Sequence, residues 1–358
     1  MRRKSWFTGS LIFLALIVAL CAQTMQSPLT GAWLLFFLAA CLCIYPGNRD
    51  AGSVAWLSML GISTFILQPV GGGAATMWIL AAAPLLSISV TREHVRPLLT
   101  AAGVFLLLYA VLLIAEMAFN VRYTTFNIPL AGRQSVASSW PMLDPNNAGC
   151  VMNFGLVTSF YLMLRNKKWF FPFALFVVAL YATSSRMAAI CGFLACSAIL
   201  AHRHRLQEAT LICGGILILF GAAFFNPDYF DLESLSIRGA IWRACLPLLD
   251  LHPLRGTGLG TFGFYYAQVR TESITAGTFA HNDMLQLAIE TGIGGAAIFL
   301  WFIVSAMRRH ILAFALIGSV FLHSLVEFQF YIPVISVLVG LTMAASKTEE
   351  EDDLPGLA

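Results

Sequence analysis

The sequence predicts an all-α integral membrane protein, and three observations predict it. Mean hydropathy is +0.79. Charged residues make up 11% of the chain against 59% hydrophobic, less than half the roughly 25% charge of a soluble domain. Apolar runs of membrane-spanning length recur along all 358 residues. A cytosolic enzyme and a disordered chain are excluded on this basis. The net charge of +3 gives no reason to expect a nucleic acid or another polyanion as partner.

Taken in order, the runs are read as one polytopic membrane domain, 1–358, of about twelve transmembrane helices, each needing about 20 apolar residues. They lie near 8–25, 29–46, 52–70, 73–90, 97–119, 145–164, 169–184, 186–201, 208–225, 282–306, 311–328 and 330–346. Met1-Arg-Arg-Lys4 before Leu11–Cys21 has the look of a signal peptide. No small-x-small site follows it and many apolar runs do, so it reads as the first span. Placing the N-terminus inside puts roughly two-thirds of the 21 Lys and Arg on the cytoplasmic side, as retention of basic loops requires. Both termini are then cytoplasmic, including the acidic tail 347–358. Two long segments fall outside: 120–144 and the large loop 226–281. Within the latter, Leu232, Leu235, Ile237, Ile241, Trp242, Cys245 and Leu248 tend to one side of a helix, which predicts an amphipathic helix on the membrane or over a cavity.

Of the 8 cysteines, six sit in apolar runs and read as small buried hydrophobes. Only Cys245, and marginally Cys150, are placed to meet an oxidising compartment, so no structural disulfide is expected. Cys41-x-Cys43 lacks metal-site spacing and a partner His.

Four stretches concentrate polar chemistry on the outer side. In Thr183-Ser-Ser-Arg186 an Arg stands at the end of a span. It either snorkels or faces an anion or carboxylate. Arg238 and Trp242 share a helix face, a pairing that suits an anionic, sugar-bearing ligand as well as a membrane interface. His252-Pro-Leu-Arg-Gly256-Thr-Gly258-Leu-Gly260-Thr-Phe-Gly263 contains a formal G-x-G-x-x-G. No βαβ unit surrounds it, so a dinucleotide site is rejected. Its glycines are read as a tight turn that lets a ligand approach the backbone. In Ala280-His281-Asn282-Asp283-Met-Leu-Gln286 and on to Glu290-Thr-Gly292, His281 opens a span. It is a candidate proton acceptor beside Gln286 and Glu290 on one face. His323 and Glu327 form a later i, i+4 pair, open to each other or to an Arg. No acidic pair signals a divalent cation, and no Walker, His-Glu-x-x-His or Gly-x-Ser-x-Gly motif occurs.

These stretches, in this order, resemble the O-antigen ligase/polymerase superfamily of bacterial envelope glycosyltransferases. The resemblance rests on Ser185-Arg186; Arg238 and Trp242; His252–Phe262; His281-Asn282 with Leu285-Gln286 and Glu290-Thr-Gly292; His323–Glu327; and Asp144-Pro-Asn146. It is dense from about 140 to 335, and the first ~120 residues match only as generic spans. It implies a GT-C-like enzyme in the bacterial inner membrane, with no metal and no cofactor. The implied donor is a glycan on undecaprenyl diphosphate, transferred with inversion on the periplasmic side. The acceptor is lipid A-core for a ligase, or another lipid-linked glycan for a polymerase, with the ligase slightly favoured. The expected roles are Arg186 and Arg238 on the diphosphate, His281 as base, and Glu290 and Gln286 orienting it or binding sugar. Trp242, Tyr265, Tyr266 and Asn282 are expected to contact sugar or acceptor. The competing class is a transporter or flippase, which would place its polar groups near the bilayer midplane.

Overall fold

The computed structural model describes residues 51–65, 73–90, 92–119, 127–130, 133–136, 144–211, 232–270 and 279–349, with a few isolated positions elsewhere. The expected spans 8–25, 29–46 and 208–225 lie almost wholly outside the described residues, as does most of the acidic tail. The described chain runs through α1 (Ala51–Phe65), α2 (Gly73–Ser89), α3 (Arg92–Phe119), β1 (Asn127–Leu130), β2 (Arg133–Val136), α4 (Pro145–Met163), α5 (Phe170–Thr183), α6 (Arg186–His202), α7 (Leu232–Leu251), α8 (Phe262–Val269), α9 (Asp283–Met307), α10 (Ile311–Ser324) and α11 (Pro333–Glu349).

The architecture is helical, as expected, with one departure. β1 and β2 pair antiparallel, Asn127 opposite Val136 and Leu130 opposite Arg133, inside the expected outer loop 120–144. Two helices, α9 and His94–Phe119 of α3, are long and apolar enough to cross a membrane. Four further apolar stretches of 10–17 residues accompany them, so twelve full spans are not reproduced among the described residues. The exterior is nonetheless apolar. Val104, Leu108 and Val111 recur at helical spacing along exposed α3, and Phe170, Phe171, Ile293, Leu300 and Trp301 are exposed on other helices. Water does not favour such a surface; hydrocarbon does.

The helix starts are set by residues that recur in the polar stretches. Asp144 caps α4 by accepting from the N–H of Asn146 at 2.8 Å, with Pro145 at the first helical position. Its missing N–H would have been unpaired there anyway. Ser184 in the left-handed region (φ 54) ends α5, and Ser185 caps α6. The run 169–201 is thereby broken into two helices by two residues. Asn282 caps α9, accepting from the Leu285 N–H at 2.9 Å. Caps of this kind contribute about 1 kcal/mol each. α9 is itself two rods, because Gly292 breaks it with φ 76 and ψ 170.

Two apolar cores form. The larger joins most of the helices. The smaller holds Ile241, Cys245 and Leu248 of α7 against Phe262 and Tyr266 of α8, Ala280 and Ile289. The amphipathic face expected of α7 therefore packs on protein. Cys245, expected to be open to an oxidising compartment, is a free, fully buried thiol, and burial pushes it up to about 12. α7 and α8 thus form a small cap packed on α9.

Candidate active site

The polar end of the bundle is organised by one carboxylate. Glu327 follows α10, and its side chain is only 2% exposed. Its Oε1 accepts from an Arg238 guanidinium N–H and, at 2.9 Å, from Asn146 Nδ2. Its Oε2 lies 2.8 Å from His281 Nδ1. Arg238 also donates from Nε to the Val326 carbonyl at 2.9 Å, so it grips both the backbone and the carboxylate. Asn146 accepts in turn from Ser185 Oγ at 2.8 Å. That contact needs α4 and α6 close together, and Gly149 provides the room. A Cβ there would lie 2.7 Å from Ala188 and 2.9 Å from Ser185. Close approach through small residues is the usual way helices associate in lipid.

This geometry orients the His281 ring. A carboxylate only accepts, so the Nδ1 proton is directed to Glu327, and Nε2 carries the lone pair. The ring stands edge-on to Phe328 at 5.2 Å, and its side chain is 28% exposed. The result is an oriented imidazole with one part-exposed face. Its backbone is left-handed, φ 49. The turn that carries it is held from both sides. Trp242 Nε1 donates to the Ala280 carbonyl at 2.9 Å, and Gln286 Oε1 accepts from the Ala280 N–H at 2.9 Å. Trp242→Phe keeps the aromatic face and removes that donor. It is expected to lower turnover severalfold with helical content unchanged by circular dichroism, consistent with a net value of about 1 kcal/mol for such a bond.

The sequence-derived candidates divide accordingly. Arg238 and His281 meet at Glu327. Arg186 is the first residue of α6, exposed, and follows the Ser185 that reaches Asn146. Trp242 and Gln286 hold the His281 turn, and Asn282 caps α9. Glu290 is corrected. It was expected beside His281, yet it is fully buried and accepts from Tyr331 Oη at 2.9 Å, Gln286 Nε2 at 3.3 Å and the Phe262 N–H at 3.3 Å. It ties α8, α9 and the turn before α11 together, and the carboxylate on the His281 ring belongs to Glu327. Tyr265 is part-exposed, whereas Tyr266 is fully buried, stacked on Phe262 at 5.3 Å. It has no face left for a sugar. Its hydroxyl finds no hydrogen bond among the described residues, so Tyr266→Phe is expected to leave thermal stability unchanged or slightly higher.

The glycine-rich turn is corrected too. The backbone that approaches it is the protein's own. Thr257 N–H donates to the Ile289 carbonyl and Gly258 N–H to the Glu290 carbonyl, each at 2.8 Å. Glu327, Asn146 and Ser185 complete the site beyond the expected set. Their signals in the sequence are the i, i+4 spacing of His323 and Glu327, the Asp-Pro-Asn segment and the Ser185-Arg186 pair. His323 is not the partner of Glu327: both its ring nitrogens are buried without a hydrogen bond among the described residues. Asp144, at the head of α4, feels the same charge. Burial, helped by the Glu327 carboxylate, pushes its carboxyl from 3.8 up to about 6.

A helix bundle with an apolar exterior and a His–Glu–Arg constellation at one end has the make-up of a membrane enzyme working at one face. Residues 171–300 match the family model described as O-antigen ligase, which supports the O-antigen ligase/polymerase superfamily for this chain. The matched segment runs from α5 into α9 and contains Arg186, Arg238 and His281; Asn146 and Glu327 fall outside it. No curated protein matches the chain. The match supports a membrane glycosyltransferase-like enzyme at the level of class.

Proposed function

We propose that the chain is an O-antigen ligase of the bacterial inner membrane. It transfers a glycan from undecaprenyl diphosphate to a hydroxyl of lipid A-core on the periplasmic side, with both termini cytoplasmic. The observation that carries this reading is the His281–Glu327 pair, 2.8 Å between Nδ1 and Oε2, at the end of the bundle where Arg186 and Arg238 also lie.

His281 Nε2 takes the proton of the acceptor hydroxyl as its oxygen attacks the anomeric carbon. The bond from that carbon to the diphosphate oxygen breaks, and its electron pair leaves with the diphosphate. Attack from the opposite side inverts the anomeric centre. Arg186 and Arg238 stabilise the charge that develops on the leaving group, as arginine forks do for phosphate oxygens. Glu327 stabilises the imidazolium. Arg238 reaches the diphosphate from its pairing with Glu327, so donor binding and orientation of the base are linked. The candidate catalytic groups gather at one end of the bundle, where a transporter would line a path through the middle.

The test supplies purified protein with undecaprenyl-diphosphate glycan and rough lipopolysaccharide, without added metal, beside a His281→Asn variant of equal thermal stability. Product on lipopolysaccharide, reduced about 10²–10⁴-fold in the variant, is the expected result. Lengthened lipid-linked glycan in its place identifies a polymerase with the same site. No product from verified donor and acceptor refutes glycosyl transfer.

A further inference from the structure

At the end of the bundle opposite His281, α3, α4, α5, α10 and α11 enclose a cavity of about 580 Å³. That volume is within the usual range of small-molecule sites, about 300–1,000 Å³. Its walls are apolar, among them Leu99, Leu107, Phe154, Phe176 and Leu316. Its lining also includes Arg96 of α3, Arg165 just beyond α4, and His310 at the head of α10. Arg165 donates to the Tyr161 hydroxyl and lies 4.5 Å from that ring's centroid; Arg203 stands 5.5 Å from the same centroid. Tyr161 Oη is 3.4 Å from His310 Nε2. Arg96 and Arg165 are exposed and Arg203 is half-buried, and among the described residues none of the three enters an ion pair, whereas Arg205 holds Glu208. Arg165 and Arg203 thus stand on one ring, and Arg96 lines the same cavity as Arg165; like charges this close are stabilised by an anion placed between them.

We propose that this cavity binds an anionic phospholipid. The phosphate sits on Arg96, Arg165 and Arg203, and an acyl chain lies between Leu99, Phe154 and Phe176. Guanidinium forks match phosphate oxygens. A soluble phosphate would leave the apolar cavity without a role, and a neutral lipid would leave the arginines without one. Position agrees as well. Asn146 of the active site and Arg165 are separated by the length of α4, a rise of about 28 Å, close to the roughly 30 Å hydrocarbon core of a bilayer. With His281 at one interface the arginines reach the headgroups of the other leaflet, the cytoplasmic one in the orientation proposed above. The site is distinct from the transfer chemistry, so its test reads binding and not turnover.

The full-length protein is reconstituted in nanodiscs of phosphatidylcholine and phosphatidylglycerol, released into detergent, and its retained lipid counted by native mass spectrometry. The expected result is one phosphatidylglycerol per chain, retained about tenfold or more over phosphatidylcholine. Arg96→Gln with Arg165→Gln removes the preference. Gly103→Phe tests the cavity with every arginine in place. Gly103 lines it, and a Cβ there meets nothing within 4 Å, so this variant folds and loses the lipid. Equal retention of both lipids overturns the proposal. So does phosphatidylglycerol retention untouched by either change. So does protection against thermal unfolding by inorganic phosphate alone that matches the lipid's.

Discussion

Glu327→Gln is expected to reduce glycan transfer by about 10²–10⁴-fold while the protein stays folded. The substitution is isosteric, so packing around the 2%-exposed side chain is preserved. What changes is the proton inventory. An amide turned with its NH₂ toward His281 Nδ1 donates where the carboxylate accepted. The imidazole then carries its proton on Nε2, where the base is needed. Arg238 also loses its counter-charge. Removing one partner of a buried pair typically costs about 3–5 kcal/mol. Thermal unfolding in detergent therefore has to accompany the kinetics, and Glu327→Asp supplies the charge-conserving comparison. The informative variant is the double one. If His281 and Glu327 act as a unit, His281→Asn with Glu327→Gln is no slower than His281→Asn alone, as is usual for groups that work together. Full turnover in folded Glu327→Gln would sink the dyad.

Gly256→Val is expected to prevent accumulation of folded protein. Gly256 has φ +72, and an added Cβ would overlap the Glu290 carbonyl and the Gly292 nitrogen. A left-handed backbone costs an ordinary L-residue about 1–2 kcal/mol, and a β-branched one more. The overlap is with main chain, which cannot rotate aside. To relieve it the turn must leave α9 and give up the Thr257 and Gly258 hydrogen bonds to the Ile289 and Glu290 carbonyls. The combined loss is about 3 kcal/mol or more, at the severe end for a single substitution. Gly239→Ala is the control. Its Cβ meets nothing within 4 Å, and a mid-helix Gly replaced by Ala gains up to about 1 kcal/mol. Yield and melting temperature of the two variants, measured side by side, decide the matter.

The helices were legible because apolar length and capping residues are local signals. Expected runs at 73–90, 145–164, 169–184 and 282–306 correspond closely to Gly73–Ser89, Pro145–Met163, Phe170–Thr183 and Asp283–Met307. What local signals do not carry is pairing across the fold. Glu327 lies 46 residues from His281 and 89 from Arg238, so His323, four residues before it, looked as natural a partner. Glu290 is matched to the His by its place with Gln286 on one face of the helix that His281 precedes, and by the resemblance. Its side chain turns to Tyr331 and Phe262, contacts that exist only once α8 and the turn before α11 have packed. Tyr265 and Tyr266 differ in the same way. Neighbours on an 8-residue helix face different sides, and nothing in the run Phe264-Tyr265-Tyr266 marks which side is core. The strand pair at 127–136 carried no alternating apolar pattern that would have distinguished it from loop.

The left-handed backbone at His281 makes that position a filter on side chains before any chemistry is considered. Among residues with a Cβ, Asn, Asp and His adopt φ near 49 most readily. A turn of this shape admits few of the residue types that could act as a base, and among those His is the one whose ordinary pKa lies close to neutral. For the same reason alanine is a poor probe here. It would remove the imidazole and also load the turn with a conformational penalty of about 1–2 kcal/mol. Lost activity in that variant would blend two causes, which asparagine keeps apart.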